Sequence, residues 1–166
     1  MEKPVKPETY RAAVLTMSDR CSRGERQDES GKVIQELLKK APIEVAKYEI
    51  IPDDLELIKK KLIEYADELK IDLVLTDGGT GFGPRDVTPE ATRAVIDKEV
   101  PGIPEVMRME SLKYSRRAML SRAAAGIRGK TLIVNFPGSP KAVKESLETV
   151  LDTLAHALDM IAGKDH

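Results

Sequence analysis

The chain is poor in the side chains that most often announce chemistry. Its 166 residues include one cysteine (Cys21), no tryptophan, two phenylalanines and two histidines, His156 and His166. A lone thiol excludes an intrachain disulfide framework, and a Cys/His zinc site lacks ligands. Without a second usable histidine a Ser-His-Asp relay is not expected, so serines such as Ser121 are binding candidates before they are nucleophiles. Charge of one sign is missing too. The 27 basic and 28 acidic residues leave a net charge of −1 and a pI near 6.2, which gives no reason to expect a nucleic-acid or membrane partner. The spacing of Arg116, Arg117 and Arg122 fits no nucleic-acid motif. No apolar run reaches the length of a membrane span, and the opening MEKPVKPETYR lacks the apolar core of a leader. A cytoplasmic protein is expected.

What is present is an alternation of short apolar runs with amphipathic stretches. Residues 1–9, with Pro4 and Pro7, are expected to form a loose tail, and residues 10–166 a single domain. Strands are predicted over 10–18, 43–51 and 73–75, the second at a sheet edge because its alternation is impure. Helices are predicted from about Gly31 to Pro42, from Pro52 to Leu69 with Lys59, Lys60 and Lys61 facing out, through Ile96, and from Pro104 to Arg116. Residues 123–127 and 131–136 read as a hairpin turning at Arg128, Gly129 and Lys130, which forces one antiparallel pairing. A last helix enters at Ser139 and Pro140 and buries a stripe from Val143 to Ile161, leaving His156 outside. The fold class is α/β: three layers, α/β/α, around a mostly parallel mixed sheet with one reversed strand.

The most informative stretch is DLVLTDGGTGFGPRDVTPEAT, residues 72–92. A buried strand stops at Gly78, Gly79, Thr80 and Gly81, passes Arg85 and Asp86, and enters a helix. Thr88 is the expected cap, and Pro89 the first helical residue. Backbone N–H groups converging beside a helix start form an anion cradle. Ligands of open α/β sheets sit beyond the carboxyl ends of the strands. Four loops are expected there: Ser18 and Asp19 with Arg20, Pro52 to Asp54, the 78–86 loop, and Asn135 to Pro140. Asp19, Asp53, Asp77 and Asp86 can hold magnesium between phosphates. Taken alone, Asp53 is equally a helix cap, Arg85 equally the partner of a neighbouring acid, Arg122 equally a bridge to a helix, and Cys21 an inert small residue.

Several ordered segments together resemble one family: SDRCSRGERQDESG (18–31), IPDD (51–54), LTDGGTGFGPRDVTPEAT (75–92), PGIPEVMR (101–108) and AMLSRAAAGIRGKTLIVNFPGSPKAVKE (118–145). The chain resembles the MogA/MoaB-type molybdopterin-binding family, whose enzymes are molybdopterin adenylyltransferases, and is similar to the corresponding domain of gephyrin. The resemblance implies the molybdenum cofactor biosynthesis protein fold, a homo-oligomer (a trimer, or a hexamer on the MoaB side), and ATP and molybdopterin as substrates with Mg²⁺. It implies catalytic roles for Asp53 and Asp86, also the expected Mg²⁺ ligands, and a nucleotide-phosphate loop at Gly78, Gly79, Thr80 and Gly81. Ser121, Arg122, Pro137 and Gly138 fall on segments lining the pterin and nucleotide pocket. Ser18, Asp19, Arg85, Asn135 and Ser139 complete the expected substrate-binding set. The alternatives are a non-catalytic pterin-binding scaffold of the MoaB type and a nucleotide pyrophosphatase like the related CinA-type domain. Two positions depart from the pattern. Asp77 stands where an uncharged residue is usual, so it could weaken phosphate binding or add a metal ligand. Phe136 interrupts an otherwise matching Asn-x-Pro-Gly segment.

Overall fold

Proline-free apolar runs become the centre of the sheet. Tyr10–Met17 (β1), Leu73–Asp77 (β3) and Thr131–Phe136 (β6) are buried almost throughout, as strands covered on both faces must be. The computed structural model describes residues 9–164. In it these strands are joined by Ile43–Ile51 (β2), Ala125–Arg128 (β5) and the two-residue Lys98–Glu99 (β4) in one sheet ordered β2-β1-β3-β6-β5-β4. The pairings of β1 with β2 and β3, and of β3 with β6, are parallel. β5 runs antiparallel to both β6 and β4. The expected edge position of β2 and the single reversed strand are both present. The reading of residues 1–9 as a tail falls, apart from Thr9, outside the described residues, as does His166.

Strand alternation divides the core into two. Ala12, Val14, Leu73, Leu75, Leu132 and Val134 face the helices Glu29–Leu38 (α2), Gly102–Ser111 (α5) and Pro140–Ile161 (α6). Ala13, Leu15, Val74 and Ile133 face Leu55–Ile63 (α3) and Thr88–Val95 (α4). Asp19–Ser22 (α1) is a single turn where β1 ends. His156 is exposed, and Phe136 is a fully buried part of the first core.

Several boundaries differ from the sequence reading, each through a local hydrogen bond. α2 starts at Glu29 because Asp28 caps it, accepting the Gly31 N–H at 2.9 Å. Asp54, not Asp53, caps α3 by accepting the Leu57 N–H at 2.8 Å. That leaves Asp53 available for other work. Val87 occupies the cap position of α4, which puts Thr88 inside the helix, where its hydroxyl donates to the Gly78 carbonyl at 2.9 Å. α5 runs Gly102–Ser111, and a separate 3-10 turn, Arg116–Leu120, follows it, with Ser115 accepting the Arg117 N–H. Lys61 is half-buried in an ion pair with Glu49 at 3.0 Å and does not face out beside Lys60.

Candidate active site

The parallel strands β1, β2, β3 and β6 end on the same side, so the loops leaving them meet there. The glycine loop after β3 is tightly framed. Gly78 and Gly79 have φ of +89° and +72°, the left-handed region that glycine occupies without strain. A Cβ on Gly78 would stand 2.3 Å from the Met17 carbonyl oxygen. Gly78 N–H donates to Phe136 O at 3.2 Å, and Thr88 N–H donates to Gly79 O at 3.1 Å. The N–H groups of Gly79, Thr80 and Gly81 have no acceptor among the described residues. Three neighbouring free donors beside the start of α4 make a seat for an anion.

Arg122 clamps this loop from behind. Its Nε donates to Gly81 O at 2.8 Å, Nη2 to Asp86 O at 2.8 Å and Nη1 to Glu90 at 2.7 Å, while its backbone N–H donates to Thr80 O at 2.9 Å. Asn135 is fully buried. Its amide donates to the hydroxyls of Thr76 (3.0 Å) and Thr92 (2.9 Å) and accepts the Ala124 N–H (3.1 Å), locking β6 to β3 and α4. Neither residue lines the two clefts described below.

Asp19 and Asp53 interlock, each backbone N–H donating to the other's carboxylate at 3.0 Å. Arg85 grips Asp19 with two bonds of 3.0 and 2.9 Å. Those bonds, helped by the Asp53 N–H, hold Asp19 below the usual carboxylate range. Burial pushes Asp53 the other way, and the charges of Asp19 and Asp86 add to that rise against the Asp19 N–H. Asp86 accepts the Gly83 N–H at 2.8 Å through Oδ2. Asp53 Oδ1 and Asp86 Oδ1 accept no hydrogen bond among the described residues. Two hard oxygen donors whose charges repel are suited to a divalent ion. No group of three metal-ligating side chains gathers among the described residues.

Two clefts flank the glycine loop and the turn at residues 137–140. The larger, about 540 Å³, runs from Thr80 and Gly81 past Ser121 and Pro137 to α5 and α6. Its wall is apolar at Phe82, Met107 and Leu120 and cationic at Arg108, Arg117 and Lys141. The smaller, about 300 Å³, is polar and holds Thr16, Ser18, Asp28, Asp77, Gly78 and Gly138. Ser139 touches both clefts while capping α6 through the Ala142 N–H at 3.1 Å.

Residues 13–156 match the model of a family described as a probable molybdopterin binding domain. The chain belongs to this molybdopterin-binding family. It is 50% identical over 159 residues to the molybdopterin adenylyltransferase of Helicobacter pylori strain J99, covering 94% of this chain and 90% of that one. It is 42% identical over 156 residues to the molybdenum cofactor synthesis protein cinnamon of Drosophila melanogaster, covering 93% of this chain but 26% of that longer protein. Among solved structures, the molybdopterin biosynthesis enzyme MoaB from Thermus thermophilus superimposes with a TM-score of 0.89 at 53% identity, covering 94% of this chain and 98% of that one. In this molybdopterin-binding domain the matched span contains every loop of the site. Sequence reasoning missed the cationic wall and the buried pair Thr16 and Asp28. Asp28 had a signal, since an aspartate three residues before Gly31 is a helix-cap pattern. Lys141 had none, because an isolated cation in a helical segment looks like solvated surface, and Arg117, beside Arg116, reads as a bridge to a helix or a neighbouring subunit.

Proposed function

We propose that the chain is a molybdopterin adenylyltransferase of molybdenum cofactor biosynthesis. It transfers the adenylyl group of ATP to the terminal phosphate of molybdopterin. The observation that carries this reading is the row of free N–H groups at Gly79, Thr80 and Gly81, set between two clefts. Each substrate is a heterocycle joined to phosphate. Two clefts that share one anion seat can take the two rings on either side and bring the phosphates together. The relatives named molybdopterin adenylyltransferase support the reaction class.

In the transfer, an oxygen of the molybdopterin phosphate bonds to the α-phosphorus of ATP. The bond from that phosphorus to the β-phosphate bridge oxygen breaks, and pyrophosphate leaves with the electron pair. A phosphomonoester loses its second proton near pH ~6, so the nucleophile is already dianionic at neutral pH and no general base is required. The obstacle is repulsion between anions, which the glycine-loop N–H groups reduce by fixed dipoles. Asp53 and Asp86 would hold Mg²⁺, which when bound neutralises phosphate charge. Arg85 keeps Asp19 charged and in place, so the interlocked Asp53 is positioned before substrate arrives.

Self-association belongs to the same reading. Phe82 and Met109 are 71% and 67% exposed, and Val106, Leu112, Tyr114 and Met119 on α5 and after it are exposed apolar side chains as well. Apolar surface of this kind marks an interface, and we assign it to a cyclic homotrimer. Light scattering should give three chains; a stable monomer contradicts the assignment, and six chains place two such rings together. No helix among the described residues is long and apolar enough to cross a membrane, and a cytoplasmic site of action is part of the proposal.

One assay tests the activity. With ATP and Mg²⁺, pyrophosphate should form only when molybdopterin is added. ATP hydrolysis without the pterin would replace this reading by a pyrophosphatase. Binding with no turnover would replace it by a scaffold.

A further inference from the structure

The floor of the smaller cleft poses a problem of proton count. Thr16 Oγ1 lies 2.7 Å from Asp77 Oδ2 and 2.8 Å from Asp28 Oδ2. A hydroxyl has one hydrogen and can donate to only one of them. If both acids were ionised, one short contact would set oxygen lone pairs against each other in a buried site. Asp28 also accepts the Gly31 N–H and the Tyr48 hydroxyl. Asp77 has no other partner among the described residues. The negative charge therefore belongs on Asp28, and the proton on Asp77. The chain of bonds then runs from Asp77 Oδ2–H to Thr16 Oγ1, and from Thr16 O–H to Asp28 Oδ2.

The second oxygen of Asp77 follows from the same count. Asp77 is 1% exposed and lines the cleft. No buried side-chain oxygen or nitrogen among the described residues lacks a partner. Oδ1, which has none, must therefore meet the cleft itself. With the proton on Oδ2, Oδ1 is an uncharged carbonyl acceptor beside the glycine loop.

We propose that Asp77 is a neutral carboxylic acid whose Oδ1 accepts a hydrogen bond from an N–H or amino group of the heterocycle seated in the smaller cleft. This rests on the adenylyl-transfer reading only for the identity of the ligands. Both pterin and adenine carry an exocyclic amino group, and the chemistry serves either. Neutrality is what lets an acid stand next to an anion seat. Burial, reinforced by the Asp28 charge, raises the Asp77 carboxyl to about 8, in agreement with the proton count. The other titratable groups around it are Asp28 and Glu29 at the start of α2, Tyr48 on β2, Cys21 on α1 and Arg26 in the loop between α1 and α2.

The test needs no turnover. Infrared difference spectra of the full chain, titrated from about pH 6 to about pH 10, should contain a protonated-carboxyl band that fades with rising pH and is absent from Asp77→Asn. Calorimetry is then run with ATP and with molybdopterin as separate probes. Asp77→Leu should weaken one of the two by about tenfold at the acid end, the loss of one hydrogen bond, and the affected probe identifies the ring. Asp77→Asn keeps an outward carbonyl oxygen but cannot ionise. Its affinity for that probe should fall less than that of the native chain between about pH 6 and about pH 9. Absence of the band, native affinity for both probes in Asp77→Leu, or equal pH dependence in Asp77→Asn would each overturn the proposal. None of these outcomes depends on whether pyrophosphate is made.

Discussion

Two sets of aspartates flank one glycine loop and behave in opposite ways. Asp19, Asp53 and Asp86 are partly open to solvent and each accepts a backbone N–H; the Arg85 guanidinium holds Asp19 below the usual carboxylate range, while burial raises Asp53. Asp28 and Asp77 are 7% and 1% exposed and share Thr16 as a common partner. The first set can attract a cation and repel a second anion. The second keeps one charge where two would be prohibitive. The residue type is the same throughout, so surroundings decide which aspartate carries charge to a substrate and which presents an uncharged surface. Burial is the deciding variable: Asp77 ends the central strand β3 and Asp28 caps α2, both buried, whereas Asp19, Asp53 and Asp86 lie beyond the strand ends and stay partly exposed.

The comparison breaks most visibly if the solvent-facing acids are removed. Asp53→Ala and Asp86→Ala should each lower turnover by about 10²–10³ while leaving the fold intact. Pyrophosphate release at saturating Mg²⁺ measures this, and near-native rates in both variants would remove the cation-holding role. Next in size is the loop that separates the two sets. Gly78→Ala places a methyl 2.3 Å from a carbonyl of the central strand β1, at a φ of +89°. It should cost at least about 2 kcal/mol of stability in denaturant titrations. A native midpoint would mean that the loop relaxes more readily than its frame implies.

The buried set is sharpened by pH. An unfolded aspartate releases its proton near ~3.9, whereas Asp77 in the folded chain holds its proton up to about 8. Between those values the folded state binds more protons than the unfolded one, so stability from this group declines as pH rises and levels off above the folded value. Asp77→Asn lacks that decline. Its melting temperature should therefore gain on the native chain from about pH 5 to about pH 9; a constant difference would place a charge on Asp77 throughout. The smallest effect belongs to Arg85. Its pair with Asp19 is formed by an arginine side chain 62% exposed, so Arg85→Ala should change stability by less than about 1 kcal/mol. A larger loss would show that the pair is screened by solvent far less than its exposure implies.

The fold was legible wherever apolar spacing and punctuation agreed. The runs at Leu73 and Thr131, the proline entry at Ser139 and the short turn at Gly129 are strong local signals, and they placed the sheet and the four loops. β4 was not legible because Lys98 and Glu99 carry no apolar pattern and exist as a strand only by pairing with β5. Thr88 was misplaced as a cap because its hydroxyl satisfies a carbonyl ten positions earlier, a contact that only the closed loop creates. Asp77 was legible as an oddity and not as a buried acid. Thr16 and Asp28 lie 61 and 49 positions back along the chain, and only the parallel pairing of β3 with β1 brings Thr16 beside it.

The Arg122 clamp has a consequence for the timing of binding. A segment as rich in glycine as residues 78–83 is floppy in isolation, and fixing each residue costs roughly 1–2 kcal/mol in backbone freedom. Here the guanidinium holds two loop carbonyls and Glu90 in the free protein. The loss of freedom is then met during folding, so the free loop N–H groups are held in place before any ligand arrives. Capture of the first substrate should accordingly resemble docking to a rigid surface, with a small heat-capacity change and little slowing from rearrangement, and any slow step should lie after both clefts are filled.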